Sequence, residues 1–160
     1  MTPPVRPATR ADVNAMAALW HEGWHDTHAR LMPAEYVGVR TLESFRERLL
    51  AALPDTRVVE LQGEPAGFCI LKADELYQLY VSSAARGTGV AAALLSEAEE
   101  RLRARGVETG WLACAVGNDR AGRFYEKGGW RRVATVEYQP DAAPGLASMQ
   151  VWRYEKHLLG

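Results

Sequence analysis

The stretch from Leu79 to Leu95, LYVSSAARGTGVAAALL, constrains this chain more than any other. An apolar run reads as a strand, and a small-residue loop with Arg86-Gly87-Thr88-Gly89 follows. A helical pattern then begins directly at Val90. Glycines let a backbone come close to a ligand, and a helix start offers unpaired N–H groups and a partial positive charge. Together they make a site for a phosphate or pyrophosphate, to which Arg86 adds a charged contact. The other common phosphate loops do not fit. No GxxxxGK[ST] is present, and RGTGVA lacks the third spaced glycine of a dinucleotide fingerprint.

The rest of the chain surrounds this unit with alternating element types. Val5 to Pro7 reads as a short edge strand, and Thr9 with Asp12 as a capping pattern for a helix whose stripe is Val13, Met16, Trp20 and Trp24. The pattern breaks at Pro33 and Gly38. A second helix from Thr41 carries Leu42, Phe45, Leu49 and Leu53 and ends at Pro54-Asp55. Arg57–Leu61 and Ala66–Lys72 form a hairpin about Gln62-Gly63-Glu64-Pro65, and Ala73-Asp74 turns into a third strand, Glu75 to Val81. The helix from Val90 to Arg105 buries Val90, Leu94, Ala98 and Leu102, with Glu97–Arg101 and Glu99–Arg103 paired on its outer face. Trp111 to Val116 reads as a strand buried on both faces. A short helix after Asn118 ends at Gly128-Gly129. Two strands, Trp130–Tyr138 and Met149–Lys156, close the chain around a loop from Gln139 to Ser148. The expected fold is α+β in three layers, α/β/α: a mixed, mostly antiparallel sheet of six to seven strands with helices on both faces.

Composition narrows the function classes. A chain of 160 residues makes one domain, residues 1–160. Its 19 Lys+Arg against 20 Asp+Glu leave no basic excess for nucleic acid. Cys69 and Cys114 lie inside apolar runs and read as buried thiols of a reducing compartment. No run of about 18 apolar residues exists to cross a membrane, and MTPPVRPATR has no signal-peptide core. The expectation is a soluble cytoplasmic protein.

A second segment makes the chemistry specific: Asn118-Asp119-Arg120-Ala121-Gly122-Arg123-Phe124-Tyr125-Glu126-Lys127-Gly128-Gly129-Trp130. R-G-x-G-x-A after a strand, then N-x-x-A-x-x-F-Y-x-K-x-G-[FW], resembles the GNAT superfamily of acetyl-CoA-dependent N-acetyltransferases. Every fixed position of both motifs is filled, and the element order agrees from Val5 to Lys156.

The resemblance implies a division of labour. The strand end Leu79, Tyr80 and Val81 would bond the pantetheine arm and thioester carbonyl through its backbone. Arg86, Gly87, Thr88, Gly89, Val90 and Ala91 would hold the pyrophosphate. Asn118 and Phe124 would flank the cofactor arm, and Tyr125 matches the usual general acid. The reaction implied is direct attack of a neutral amine on acetyl-CoA within a ternary complex, with no metal. An alkyl amine with a pKa near 10 must lose a proton, and a phenol with a pKa of about 10 is a competent donor to the leaving thiolate. Glu75 is the candidate base or water relay. Plain alternation puts Glu75 and Tyr77 on one face of their strand and Gln78 and Tyr80 on the other, unless a bulge breaks the parity. Trp24, Thr27 and His28 would line the acceptor pocket, which this family builds from its first two helices. The acceptor is a small-molecule or peptide amine, and dimers are frequent in the superfamily.

One motif points elsewhere. His21-Glu22-Gly23-Trp24-His25 matches H-E-x-x-H, the helical zinc motif, with His28 near the same face. The longer zinc-protease pattern fails, since it wants Gly at His28 and His at Leu31. Glu22, Asp26 and Glu35 would suit a cationic acceptor. An acyl-CoA sensor without turnover is the alternative to the enzyme, and a zinc hydrolase comes third.

Overall fold

The computed structural model describes residues 3–139 and 145–159. In chain order the elements are β1 (Val5–Pro7), α1 (Val13–Thr27), α2 (Glu35–Val39), α3 (Leu42–Ala51), β2 (Thr56–Leu61), β3 (Glu64–Lys72) and β4 (Glu75–Val81). There follow α4 (Val90–Ala104), β5 (Thr109–Ala115), α5 (Asp119–Lys127), β6 (Arg131–Tyr138) and β7 (Met149–His157). The seven strands form one sheet in the order β1-β2-β3-β4-β5-β7-β6. Every neighbouring pair is antiparallel except β4 and β5. One core lies between the sheet and α4 with α5, and a second between the sheet and α1 with α3. This is the expected three-layer architecture.

The helices follow their apolar spacing. Val13, Met16, Trp20 and Trp24 are buried along α1, and the Thr9 N–H donates to Asp12 Oδ2 at 2.8 Å. The turn so capped is a single 3₁₀ turn ahead of α1, and Asp12 also receives both Arg6 guanidinium nitrogens, at 2.8 and 2.9 Å. Thr41 Oγ1 caps α3 by accepting from Ser44 N–H at 3.1 Å, and Phe45 and Leu49 are fully buried. Leu42 is exposed, and Leu53 falls beyond the helix in a 3₁₀ turn. Between these helices the break expected at Pro33 and Gly38 contains the short α2. Pro33 accepts the Tyr36 N–H at 3.0 Å and so opens a turn, while the buried Tyr36 ring holds it in place.

Three readings need correction. The hairpin turn is only Gln62-Gly63, both at positive φ (+56° and +83°), and β3 starts already at Glu64. Pro65 is tolerated in the strand because it sits beside a β3 bulge, where Val59 faces Gly67 and Glu60 faces Pro65, leaving Ala66 without a partner in β2. Glu99 does not lie on an outer face but is buried: it accepts from Trp130 Nε1 at 3.0 Å and Lys156 Nζ at 2.8 Å, with Arg103 at 3.5 Å. Glu97 turns to Arg57 at 3.6 Å instead of to Arg101. Finally, β5 is not covered fully on both faces, since Trp111 and Ala113 are half-buried. Of the loop expected from Gln139 to Ser148, residues 140–144 lie outside the described residues. Among the described residues no helix is long and apolar enough to cross a membrane.

Candidate functional site

The site begins where the sheet comes apart. β4 and β5 pair only at Glu75 and Trp111, fastened by Trp111 N–H to the Asp74 carbonyl at 3.2 Å and Trp111 Nε1 to Asp74 Oδ1 at 2.9 Å. Two residues further on, β4 carries a bulge: Ile70 faces Gln78 while Leu71 faces Leu76, leaving Tyr77 unpaired. A bulge bends its strand and increases its twist. β5 stays paired with β7 along its whole length, so the two parallel strands diverge and enclose a cleft of about 540 Å³.

The bulge also decides which side chains meet. Leu76 joins the α4 core, yet Leu79 and Val81 pack there too, whereas Tyr77 and Tyr80 both pack on the α1–α3 side. Plain alternation, which put Tyr77 and Tyr80 on opposite faces, is therefore corrected by one inserted residue. Ser82 N–H donates to the Ala66 carbonyl at 2.8 Å. Ladder alternation then turns the N–H groups of Leu79 and Val81 toward the opened edge.

At one end of the cleft stands the glycine loop. Gly87 and Gly89 have φ of +79° and +90°, so both are required by the backbone path. A Cβ at Gly87 would meet nothing within 4 Å, and one at Gly89 only Pro3 Cδ at 3.8 Å, so the loop presents an open backbone surface. Gly89 is the N-cap of α4 and its carbonyl takes the Ala93 N–H at 3.0 Å, leaving the N–H groups of Val90, Ala91 and Ala92 without an intrahelical partner. Arg86, Gly87, Gly89 and Ala91 line the cleft. Thr88 and Val90 do not: the Thr88 hydroxyl folds back onto the Ala85 carbonyl, and the Val90 side chain is in the core.

The opposite wall comes from β5 and α5. Gly117 (φ +100°) turns the chain at the end of β5, and Asn118 caps α5, its Oδ1 accepting from Ala121 N–H at 3.5 Å. Phe124 packs edge-on against Tyr125 at 5.3 Å, and both line the cleft with Asn118. Burial, and then Cys114, raises the Tyr125 phenol well above its ordinary value, so it stays protonated. Its hydroxyl meets no hydrogen-bond partner among the described residues. Burial also pushes the Cys114 and Cys69 thiols up to about 12.

On the α1 side Trp24, Thr27 and His28 line the same cleft. The Tyr80 hydroxyl lies 3.1 Å from His28 Nδ1. Burial raises the phenol and lowers the imidazole to about 4, so at neutral pH Tyr80 donates and His28 accepts, both uncharged. Gly23 makes room for this: a Cβ there would stand 2.9 Å from Tyr80 Cδ1. The glycine inside His21–His25 is thus explained by the Tyr80 ring. His25 Nε2 lies 3.1 Å from the Arg40 carbonyl, and the His21 ring packs on His25 at 4.4 Å. Among the described residues no group of three or more His, Cys, Asp or Glu is placed to hold a metal.

Glu75 is buried at the closed end of the cleft. Two residues absent from the sequence expectation also line it, Arg40 and Arg48. Arg48 was legible in principle: it stands one turn beyond Phe45 and next to Leu49, a cation at the edge of an apolar stripe. Arg40 was not, because it follows the unexpected α2.

The comparisons with known proteins agree with this geometry. The acetyltransferase (GNAT) family profile matches residues 14–130. Among solved structures, the chain is similar to a GCN5-related N-acetyltransferase from Rhodopseudomonas palustris at 24% identity and a TM-score of 0.78, covering 99% of this chain and 97% of that one. It is similar to a ribosomal-protein-alanine N-acetyltransferase from Brucella melitensis at 23% identity and TM-score 0.74, covering 97% and 99%. A third likeness is to an N-acetyltransferase from Thermoplasma acidophilum in complex with coenzyme A, at 20% identity and TM-score 0.70, covering 98% and 99%. No curated protein sequence matches. With the family profile spanning most of its length and the opened sheet and glycine loop in place, this chain belongs to the GNAT acetyltransferase family.

Proposed function

We propose that the chain transfers acetyl from acetyl-CoA to a primary amine of a small molecule or peptide by direct attack, with both substrates bound at once and no metal. The observation that carries this is the divergence of β4 from β5, with a phosphate-competent loop at one end of the cleft and a protonated tyrosine in its wall. The residues fit acetyl-CoA. Two positive-φ glycines, Arg86 and the free N–H groups opening α4 suit a pyrophosphate, and the freed edge of β4 suits the amides of a pantetheine arm.

Acetyl-CoA supplies an activated acyl group and a thiol leaving group. The protein positions and moves protons. Leu79 and Val81 aim N–H groups at the cleft, where one can hold negative charge developing on the carbonyl oxygen. Asn118 and Phe124 border the arm, while Trp24, Thr27 and His28 wall the acceptor side. As the N–C bond forms and the C–S bond breaks, Glu75 takes the amine proton directly or through water, and Tyr125 gives its proton to sulfur. Cys69 and Cys114, with thiols pushed up to about 12, are poor nucleophiles at neutral pH, which favours direct attack over an acyl-cysteine intermediate. Two free buried thiols also suit a cytoplasmic setting.

The test is thiol release from acetyl-CoA across a panel of amines, with wild type and Tyr125→Phe compared. Tyr125→Phe should lower kcat by roughly 10²–10⁴ with acetyl-CoA affinity retained. Equal turnover by the two proteins would remove Tyr125 from the reaction. Acetyl-CoA binding without turnover of any amine would support an acyl-CoA sensor.

A further inference from the structure

The acceptor end of the cleft holds more positive charge than the transfer of an acetyl group requires. Arg40 is only 3% exposed, and its Nε has no hydrogen-bond partner among the described residues. Its backbone carbonyl lies against His25 Nε2, and its guanidinium lies 5.7 Å from the centre of the Tyr36 ring. Arg48 reaches the same space from α3. Its guanidinium stacks on Trp20 at 4.4 Å, and one of its nitrogens donates to the Tyr77 hydroxyl at 2.7 Å. Both line the cleft, against the Tyr36, Trp20 and Tyr77 rings of its α1–α3 side.

Neither arginine has a carboxylate within salt-bridge distance among the described residues. The charged neighbour that acts most on Arg40 is Arg48, a like charge, and the others are the phenols of Tyr77, Tyr36 and Tyr80. Among the described residues Glu75, at the closed end, is the one acidic residue lining the cleft. Burying a guanidinium without a counter-ion is costly, and two together more so. Stacking on Trp20 and Tyr36 offsets part of this but leaves the buried Arg40 Nε–H without an acceptor among the described residues. A planar fork of such donors matches an oxyanion. The exposed acids once expected to draw in a cation face elsewhere. Glu22 and Asp26 are solvent-exposed, and Glu35 accepts the Ala147 N–H at 2.8 Å.

We infer that the amine acceptor carries an acidic group, as an amino acid or an aminophosphonate does, and that Arg40 and Arg48 bind that group while its amine points toward the β4 edge. This inference rests on the acetyl-transfer reading. Arg40 and Arg48 are specificity-determining residues in it, touching the acceptor and not the reacting bond.

The experiment compares matched acceptors in the thiol-release assay: free amino acids and aminophosphonates, each against its carboxamide or decarboxylated amine, with spermidine as a cationic control. The acids should exceed their uncharged partners in kcat/KM by roughly 10- to 100-fold, the worth of a hydrogen bond to a charged group. Arg48→Gln should bring that ratio close to one, chiefly through KM, with acetyl-CoA affinity retained. Arg40→Gln is the companion variant. Should it fail to fold, the wild-type substrate pairs and Arg48→Gln still decide. Titration of the coenzyme A complex with the same acids gives a second readout, and Arg48→Gln should weaken that binding. Amides or spermidine used as well as the acids would overturn the inference and leave acetyl transfer standing. So would an acid preference unchanged in Arg48→Gln, or acids neither acetylated nor bound by a protein that binds acetyl-CoA. Loss of acetyl-CoA binding in the wild type is a separate failure, that of the underlying reading.

Discussion

Gly67 ties the sheet to the helix whose start forms the glycine-loop site, so Gly67→Ala probes both folding and cofactor affinity. A Cβ at Gly67 would stand 2.8 Å from Val90 Cγ1, 3.0 Å from Leu94 Cδ1 and 3.0 Å from the Tyr80 carbonyl oxygen. Ordinary carbon contacts lie at about 3.5–4.0 Å, so the neighbours must give by about half an ångström or more. They are poorly able to do so. Val90 is β-branched and fully buried, and the Tyr80 oxygen belongs to the strand backbone. Overpacking of this kind costs about 1–3 kcal/mol, and the stiffer unfolded chain returns about 0.4–1 kcal/mol. The net loss should be about 1–2 kcal/mol, which with a urea slope of about 1–3 kcal/mol/M is a midpoint shift of roughly 1 M. The helix must move off β3, so coenzyme A affinity should fall together with stability. In a double-mutant cycle with Val90→Ala the pair should cost less than the sum of the singles by about 1 kcal/mol, because the smaller side chain makes room for the methyl. A variant as stable as wild type with unchanged coenzyme A affinity, or a cycle additive within about 0.3 kcal/mol, would refute this packing argument.

Two further predictions concern buried charge. Arg6 holds the Asp12 carboxyl down to about 2 from an ordinary value near 3.8. Its folded value lies below the unfolded one, so Asp12 stabilises the fold above about pH 4 and loses that effect as pH falls through about 2. Allowing for the solvent exposure of Arg6, Asp12→Asn should cost about 1–2 kcal/mol at pH 7, with the gap to wild type closing near pH 2 in urea melts. Glu99→Ala should cost about 2–4 kcal/mol, since it leaves the Lys156 ammonium only the Gly128 carbonyl and strands the Trp130 N–H, while Glu99→Gln should cost less; thermal unfolding ranks the two.

What the sequence made legible was whatever depends on local pattern. The stripe of α1, the helix starts at Thr41 and Asn118, the bounds of β4 and the loop at α4 all follow from periodicity and from residues with one strong conformational use. What it hid depends on partners far along the chain. Glu99 reads as a helix-surface acid paired with Arg103 until Trp130 and Lys156 fold over it. Gly23 reads only as a variable position of a zinc-like motif until the Tyr80 ring, fifty-seven residues on, is seen to need the space. The bulge at Tyr77 leaves no mark in ELYQLYV, yet it accompanies the opening of the sheet and puts Tyr80 beside His28. Arg40 comes to the cleft only because α2 forms where Pro33 and Gly38 suggested none.

The most direct test of the account is calorimetric titration of the folded protein with acetyl-CoA, beside coenzyme A alone and beside Gly89→Glu. The opened β4 edge and the glycine loop predict micromolar binding of both ligands by wild type. They predict its loss in Gly89→Glu, where a carboxylate and a strained backbone at φ +90° would enter the phosphate loop. A folded wild-type protein that binds neither ligand, or a folded Gly89→Glu that binds both as tightly, would contradict the account.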